Sequence, residues 1–405
     1  MSEKNYLMLS IKNFHIVKYF ILISLYQYLF FYNGTNYSFY LLLINILFLV
    51  AFTLLSIVLN QKSSKIILKL NRSDLLVLVF FIGYLSSAIK GVISIFTYFI
   101  LVFYLILIWI NIKIDSGLNY KFFHSYINSI VLIITFNIIL FFVGISSSVL
   151  INKYPEMQVR LAQIIGVNLN RFNFFIFSNF AYTSMLYCLP LIFYFKRSNT
   201  LLNKTILCLT ATSLILLDAR GPFLAAIIIL LLGRLFYNLS LFKQFILISG
   251  IIVIPFITNA LLILLDLNNA EAISLLSRRD AIWNIAISNY SPNLYELIFG
   301  YGYIGQFSSG ISELYSHLFP GYGNQEQISV HNSYLQILLD YGLLGWLLLV
   351  VTCLKLLKKF KEKNQMVLHM ILVFLIVCGV TDLSIQPNNI NALITFLIIA
   401  NTKVV

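Results

Sequence analysis

Apolar residues in this chain come in long runs separated by short polar stretches, and most runs are about as long as a helix that crosses a bilayer. A helix rises about 1.5 Å per residue, so roughly twenty residues cover the ~30 Å of hydrocarbon. Runs of this kind lie near 16–32, 37–59, 74–89, 92–111, 127–147, 172–195, 204–219, 222–241, 245–266, 331–353, 366–382 and 388–402. They predict about twelve transmembrane helices, or eleven if the short seventh run does not cross. A Lys90-Gly91 turn joins the third and fourth. The expected architecture is an all-α polytopic integral membrane protein in three parts: helices one to nine over 1–266, a long polar loop holding short helices over 267–330, and helices ten to twelve over 331–405.

Composition narrows the class. At 60% hydrophobic and 10% charged residues the chain lies outside the soluble range. A net charge of +13 would suggest nucleic acid in a soluble domain, but here lysine placement is read as the determinant of membrane orientation, and no nucleic-acid partner is expected. The first run follows Lys4, Lys12 and Lys18 without a small-residue cleavage site, so it reads as a retained span rather than a signal peptide. Cys188, Cys208, Cys353 and Cys378 all fall in apolar runs without C-x-x-C spacing and read as packing residues.

With the N-terminus inside, twenty of the 27 Lys and Arg fall in cytoplasmic segments, which favours an even number of spans and both termini in the cytoplasm. The seven left over are Lys90, Lys153, Arg160, Arg171, Arg220, Arg278 and Arg279, so five of the eight arginines face outward while almost all lysines face in. A guanidinium binds phosphate oxygens as a planar fork, which an ammonium does not. Snorkelling at the outer interface accounts for any one of these arginines, but less well for the set.

The polar stretch 270–345 concentrates the candidate chemistry. Ser277 followed by Asp280 fits a capping box, which puts Arg278 and Arg279 in the first turn of a helix running to about Asn289, beside free backbone N–H groups that favour an anion. Trp283 shares a face with Arg279 and could stack on it, offer a sugar a platform, or dock on the membrane surface. Arg220, before Pro222 at a helix junction, is either an anion ligand or the partner of Asp218. The run Gly300-Tyr301-Gly302-Tyr303-Ile304-Gly305 formally fits G-x-G-x-x-G but lacks a βαβ setting, so a dinucleotide site is rejected in favour of a mobile or tightly turned loop. His331 opens the tenth span, with Asn332 and Ser333 as cap residues. Asp340, about 13 Å deeper on the opposite face, is expected to make an intramembrane hydrogen bond or ion pair.

Four segments together resemble the O-antigen polymerase and O-antigen ligase superfamily, the Wzy/WaaL-like membrane glycosyltransferases. Arg171 before Ser178-Asn179-Phe180-Ala181 is similar to the family's Arg ahead of a PNxxA-type helix, although the Pro is Ser178 here. Asp218-Ala219-Arg220-Gly221-Pro222-Phe223-Leu224 resembles its SRGPLL-type junction. Arg279 with Trp283 and the glycines at 300 and 302 resemble its R-x-x-x-W segment and GxG loop. His331-Asn332-Ser333-Tyr334-Leu335-Gln336, with Asp340-Tyr341-Gly342-Leu343-Leu344-Gly345, resembles its HNxYLQ helix.

The resemblance implies a GT-C-like glycosyltransferase without metal or cofactor, acting at the periplasmic face of the bacterial inner membrane on an undecaprenyl-diphosphate-linked oligosaccharide. Membrane lipid and a chain-length regulator protein are the further partners it implies. Arg171, Arg220, Arg278 and Arg279 would bind the diphosphate. His331, Arg279 and Arg220 would carry catalysis, and Trp283, Asn332 and Tyr334 would bind sugar. The motif details favour a polymerase, which extends a lipid-linked glycan, over a ligase, which transfers it to lipid A core. A multi-span transporter or flippase is the rival from another class. Against it stand the absence of a charged Gly-Asp-Arg-type signature after span two, of a half-to-half repeat, and of a central cytoplasmic loop.

Overall fold

The computed structural model describes residues 13–24, 36–60, 72–118, 122–144, 180–195, 199–217, 220–264, 279–318, 328–385 and 389–402. Arg171, Ser178, Asn179, Asp218, Ala219, Ser277 and Arg278, which the sequence brings forward, lie outside them. All regular structure among the described residues is helical. In chain order the helices are α1 (Asn13–Ser24), α2 (Asn36–Asn60), α3 (Arg72–Ile89), α4 (Ile95–Leu118), α5 (Phe122–Phe142), α6 (Phe180–Phe195), α7 (Leu201–Leu216), α8 (Arg220–Asn238) and α9 (Leu241–Leu264). There follow four short helices, α10 (Arg279–Ser288), α11 (Leu294–Phe299), α12 (Gly305–Ser308) and α13 (Ile311–Ser316), and then α14 (Ser333–Glu362), α15 (Met366–Thr381) and α16 (Ile390–Asn401).

Five of these helices are long and apolar enough to cross a membrane by length and composition, and seven more apolar helices have shorter described stretches. Boundaries move where hydropathy is a poor guide. The predicted end of the tenth span at 353 gives way to a helix running on to Glu362, because Lys355 to Lys363 are good helix formers and the last turn carries Lys359 and Lys361, which suit a helix C-terminus. The fourth span likewise continues to Leu118.

α15 is the axis of the bundle. Apart from His369 it is apolar on every side, buried from Leu368 to Val380 except for the half-buried Val377, and packed against α6, α8, α9, α14 and α16. A helix without a polar face has to be enclosed. Around it the bundle has two chemically distinct ends. At one, lysines are used: Lys18 meets Asp115 at 2.9 Å, Lys113 meets Asp74 at 2.7 Å, and Lys359 donates to the carbonyls of Ala400 and Thr402 that end α16. The ion pairs tie α1, α3 and α4 together, in keeping with the rule that charges buried in a bundle are paired. The other end gathers the α3–α4 turn, the starts of α8, α14 and α16, the end of α15 and the short helices; it holds Arg220, Arg279 and the Lys90–Glu296 pair and is called the arginine end here.

Of the two alternatives for the glycine-rich run, the structure shows the tightly turned one. α14 is broken at Gly342, whose φ of 61° and ψ of −164° interrupt the helix. The carbonyls left over by the break are taken by the run itself: Tyr301 N–H donates to Leu339 O at 2.7 Å and Gly302 N–H to Asp340 O at 3.1 Å. Asp340 makes the expected hydrogen bonds, accepting from Gly305 N–H at 2.6 Å and from the Gln336 amide at 2.7 Å. The fit leaves no room for a side chain. A Cβ on Gly300 would stand 2.4 Å from the Asp340 carbonyl, and one on Gly342 2.5 Å from the Ile298 carbonyl.

Candidate functional site

Four helix ends meet at the arginine end of α15. Asn332 starts α14: its side-chain oxygen accepts from Tyr334 N–H at 3.0 Å and Leu335 N–H at 2.9 Å, a regular N-cap. Its amide nitrogen meanwhile donates to Val380 O at 2.7 Å, near the end of α15. Ser333 Oγ donates to Asp382 O at 2.9 Å and accepts from Ser384 N–H at 2.6 Å, and Tyr334 Oη donates to Ile376 O at 2.6 Å. Three consecutive residues thus grip the last turn of α15 and fix its C-terminal end against the start of α14.

Asp382 caps that end. Its Oδ2 lies 3.6 Å from Arg279 Nη2 in the first turn of α10, and its Oδ1 lies 3.9 Å from His331 Nδ1. The carboxylate is buried, whereas the arginine and histidine side chains are each about a quarter open. The second separation is longer than a hydrogen bond. His331 has φ 49°, a left-handed conformation uncommon for a residue with a side chain and frequent at functional sites.

Arg220 opens α8 with an exposed side chain. A Cβ on the next residue, Gly221, would lie 3.6 Å from Thr381 Oγ1, so the start of α8 abuts the residue before Asp382. Pro222 sits in the first turn, as its fixed φ and missing donor favour. The N-termini of α8, α10 and α14 all face this end, and their dipoles favour an anion there. Of the residues expected to carry catalysis, the structure therefore brings Arg279 and His331 to one carboxylate and sets the helix of Arg220 beside it.

The structure places the three residues expected to bind sugar behind this cluster. Trp283 is buried, and its indole N–H donates to Val330 O at 3.0 Å. It offers no face to a sugar or a membrane surface; it holds the residue before His331 in place. Asn332 and Tyr334 are buried as well, with their polar groups engaged on α14 and α15 as above. All three support the site from behind.

Asp382 is the residue that the sequence reading missed. The available signal was its position, a single acidic side chain closing an apolar run, where an ionisable group is a functional candidate by default. Asp280, in the first turn of α10, is also buried; burial raises its carboxyl above the ordinary value, against the lowering effect of the Asp280 and Ala281 backbone N–H groups. Among the described residues no three or more His, Cys, Asp or Glu gather as a metal-ligand set.

Residues 205–350 match the family model described as O-antigen ligase, a stretch that includes Arg220, Arg279 and His331 and ends before Asp382. No curated protein and no solved structure matches the chain.

Proposed function

From the premise that residues 205–350 form an O-antigen ligase domain of the Wzy/WaaL family, we propose that the protein is an O-antigen polymerase of the bacterial inner membrane. It transfers a glycan from undecaprenyl diphosphate to a sugar hydroxyl of a new lipid-linked repeat unit, with both termini in the cytoplasm and the arginine end at the periplasmic face. The Arg279–Asp382–His331 arrangement beside the start of α8 supports glycosyl transfer from a diphosphate, and the choice of polymerase rests on the motif resemblance.

Arg279 and Arg220 hold the diphosphate, and Arg171 and Arg278 complete its binding. His331 removes the proton from the attacking hydroxyl as its oxygen bonds to the anomeric carbon. The bond from that carbon to the diphosphate oxygen breaks, and the leaving diphosphate takes up the bonding pair. Its growing charge is where fixed guanidinium groups and helix N-termini stabilise most, at several kcal/mol or about a hundredfold in rate for each removed donor. Asp382 orients Arg279 and His331 and balances the imidazolium that forms, the part a buried carboxylate plays behind a catalytic histidine.

The ligase reading keeps the same donor chemistry with lipid A core as acceptor, and the description of the matching family model favours it. Purified protein incubated with lipid-linked repeat units alone, with and without chelator, separates the two. Chain growth in both arms supports a metal-independent polymerase; no growth until lipid A core is added supports the ligase. In a host strain lacking the protein, single repeat units capping lipopolysaccharide would support the polymerase, and bare core with long lipid-linked chains the ligase.

A further inference from the structure

The segment 293–305 falls within the stretch that hydropathy assigns to an aqueous loop, yet its backbone is bonded like a chain in hydrocarbon. Asn293 Oδ1 accepts from Glu296 N–H at 2.9 Å and Glu296 Oε2 from Asn293 N–H at 3.2 Å, which closes the start of α11. Beyond α11, Gly300 N–H donates to Glu296 O at 2.8 Å, and Tyr301 and Gly302 donate to the α14 carbonyls. Tyr303 N–H donates to Gly83 O at 3.1 Å, and Gly305 N–H to the Asp340 carboxylate. Non-helical backbone at membrane depth is tolerated only when protein satisfies it in this way.

The side chains point to the same setting. Leu294, Tyr295 and Ile298 share one face of α11 and are 75%, 51% and 39% exposed. The charged group of α11 sits at its rim, where Glu296 Oε1 meets Lys90 Nζ at 2.9 Å in the α3–α4 turn. The depth can be read from α3. The run docks at Gly83, but the exposed apolar stripe of α3 continues through Leu85 to Ile89, about 9 Å further toward the helix end. On α14, the exposed stripe of Leu343, Leu347 and Val351 begins just past the carbonyls where the run is held.

We propose that α11 and the turn after it form a re-entrant element that enters the apolar layer of the bilayer at the arginine end, with Leu294, Tyr295 and Ile298 against lipid acyl chains. The element rests on membrane embedding alone and is independent of the reaction the protein performs. Its Lys90–Glu296 pair marks the headgroup level, and its glycines let it pass between α3 and the break in α14.

The test places single cysteines at 294, 295 and 298 in full-length protein carrying Cys208→Ala, labels them with a polarity-sensitive fluorophore, and reconstitutes the protein in vesicles. Leu347→Cys serves as the lipid-facing reference and Glu313→Cys as the exposed polar one. The expected result is blue-shifted emission at the three positions, quenched by nitroxide carried high on the lipid acyl chain and insensitive to iodide, as at 347. Emission quenched by iodide and unaffected by the lipid nitroxide, as at 313, overturns the proposal. Three positions on one face keep the test decisive if one variant does not fold.

Discussion

Arg279 and Asp382 are 3.6 Å apart in space and about a hundred residues apart in the chain. The carboxylate closes the central helix α15, where the helix dipole alone disfavours a negative charge, so a guanidinium beside it offsets both that and its burial. Asp382→Asn keeps the size and removes the charge. With the charge gone, glycan transfer is expected to fall about a hundredfold, in kcat much more than in KM, because Asp382 is enclosed and positions groups that touch substrate. Transfer assays with lipid-linked donor, beside thermal unfolding in detergent, check this; equal losses in transfer and folded yield would leave only a structural part for Asp382.

Arg279→Lys separates charge from geometry. Lysine keeps one positive charge but lacks the planar fork that can meet a carboxylate and a diphosphate at once. Transfer is expected to drop by about two orders of magnitude, with little recovery at high donor concentration. A lysine variant close to wild type would reduce Arg279 to a point charge at the membrane surface.

Much of this fold is legible in the sequence because lipid imposes length and apolarity on every span. The spacing of Arg279 and Trp283 correctly put both on one helix, but spacing does not reveal which way that helix turns; Trp283 faces inward to Val330. The polar residues after His331 looked like ligand contacts because cap residues and sugar ligands are the same residue types. Their partners, Val380, Asp382 and Ile376, lie on or at the end of a helix that is apolar apart from His369 and therefore nearly silent about position. Asp382 was hidden for the same reason, since only the tertiary packing of α10 and the start of α14 against the end of α15 gives it neighbours.

The glycines at the α14 break should tolerate nothing larger. Gly300 has φ 80° and ψ 178°, a region open essentially to glycine alone, and an added Cβ meets backbone at 2.4 Å. Gly300→Ala and Gly342→Ala are each expected to cost at least about 1–3 kcal/mol from conformation alone, with more from the clash, and to lower the yield of monodisperse protein. Gly91→Ala is the comparison: it has φ 73° but nothing within 4 Å of the added carbon. Size-exclusion profiles and unfolding temperatures should rank Gly91→Ala well above the other two.

Asp280 predicts a pH dependence of stability. Burial raises its carboxyl in the folded protein, so the folded state holds the proton more tightly than the unfolded chain. Stability from this group is greatest at low pH and falls as pH rises from about 3.9, the unfolded value, through the raised folded one. Asp280→Asn removes the dependence. It is expected to unfold at a higher temperature than wild type at neutral pH, with the difference closing at pH below the ordinary carboxylate range. A gap that widens on acidification would mean that the carboxylate is held charged by a partner.

Trp283 and Tyr334 test whether the residues around His331 bind sugar or hold the frame. Trp283→Phe removes the indole N–H, leaving the buried Val330 carbonyl without that donor beside His331; Tyr334→Phe does the same to the Ile376 carbonyl on α15. An unsatisfied buried group costs about 1–3 kcal/mol, and a lost hydrogen bond whose acceptor keeps its helix partner, as at Ile376, about 1 kcal/mol, so both variants should unfold at lower temperature, Trp283→Phe the more. Trp283→Phe should also lower kcat, because Val330 precedes the strained His331 and sets its position, whereas KM for the glycan acceptor should stay near wild type. A sugar platform gives the opposite pattern, with stability unchanged and KM raised. Measuring unfolding temperature, kcat and KM on the same preparations distinguishes the two, since each role moves a different subset.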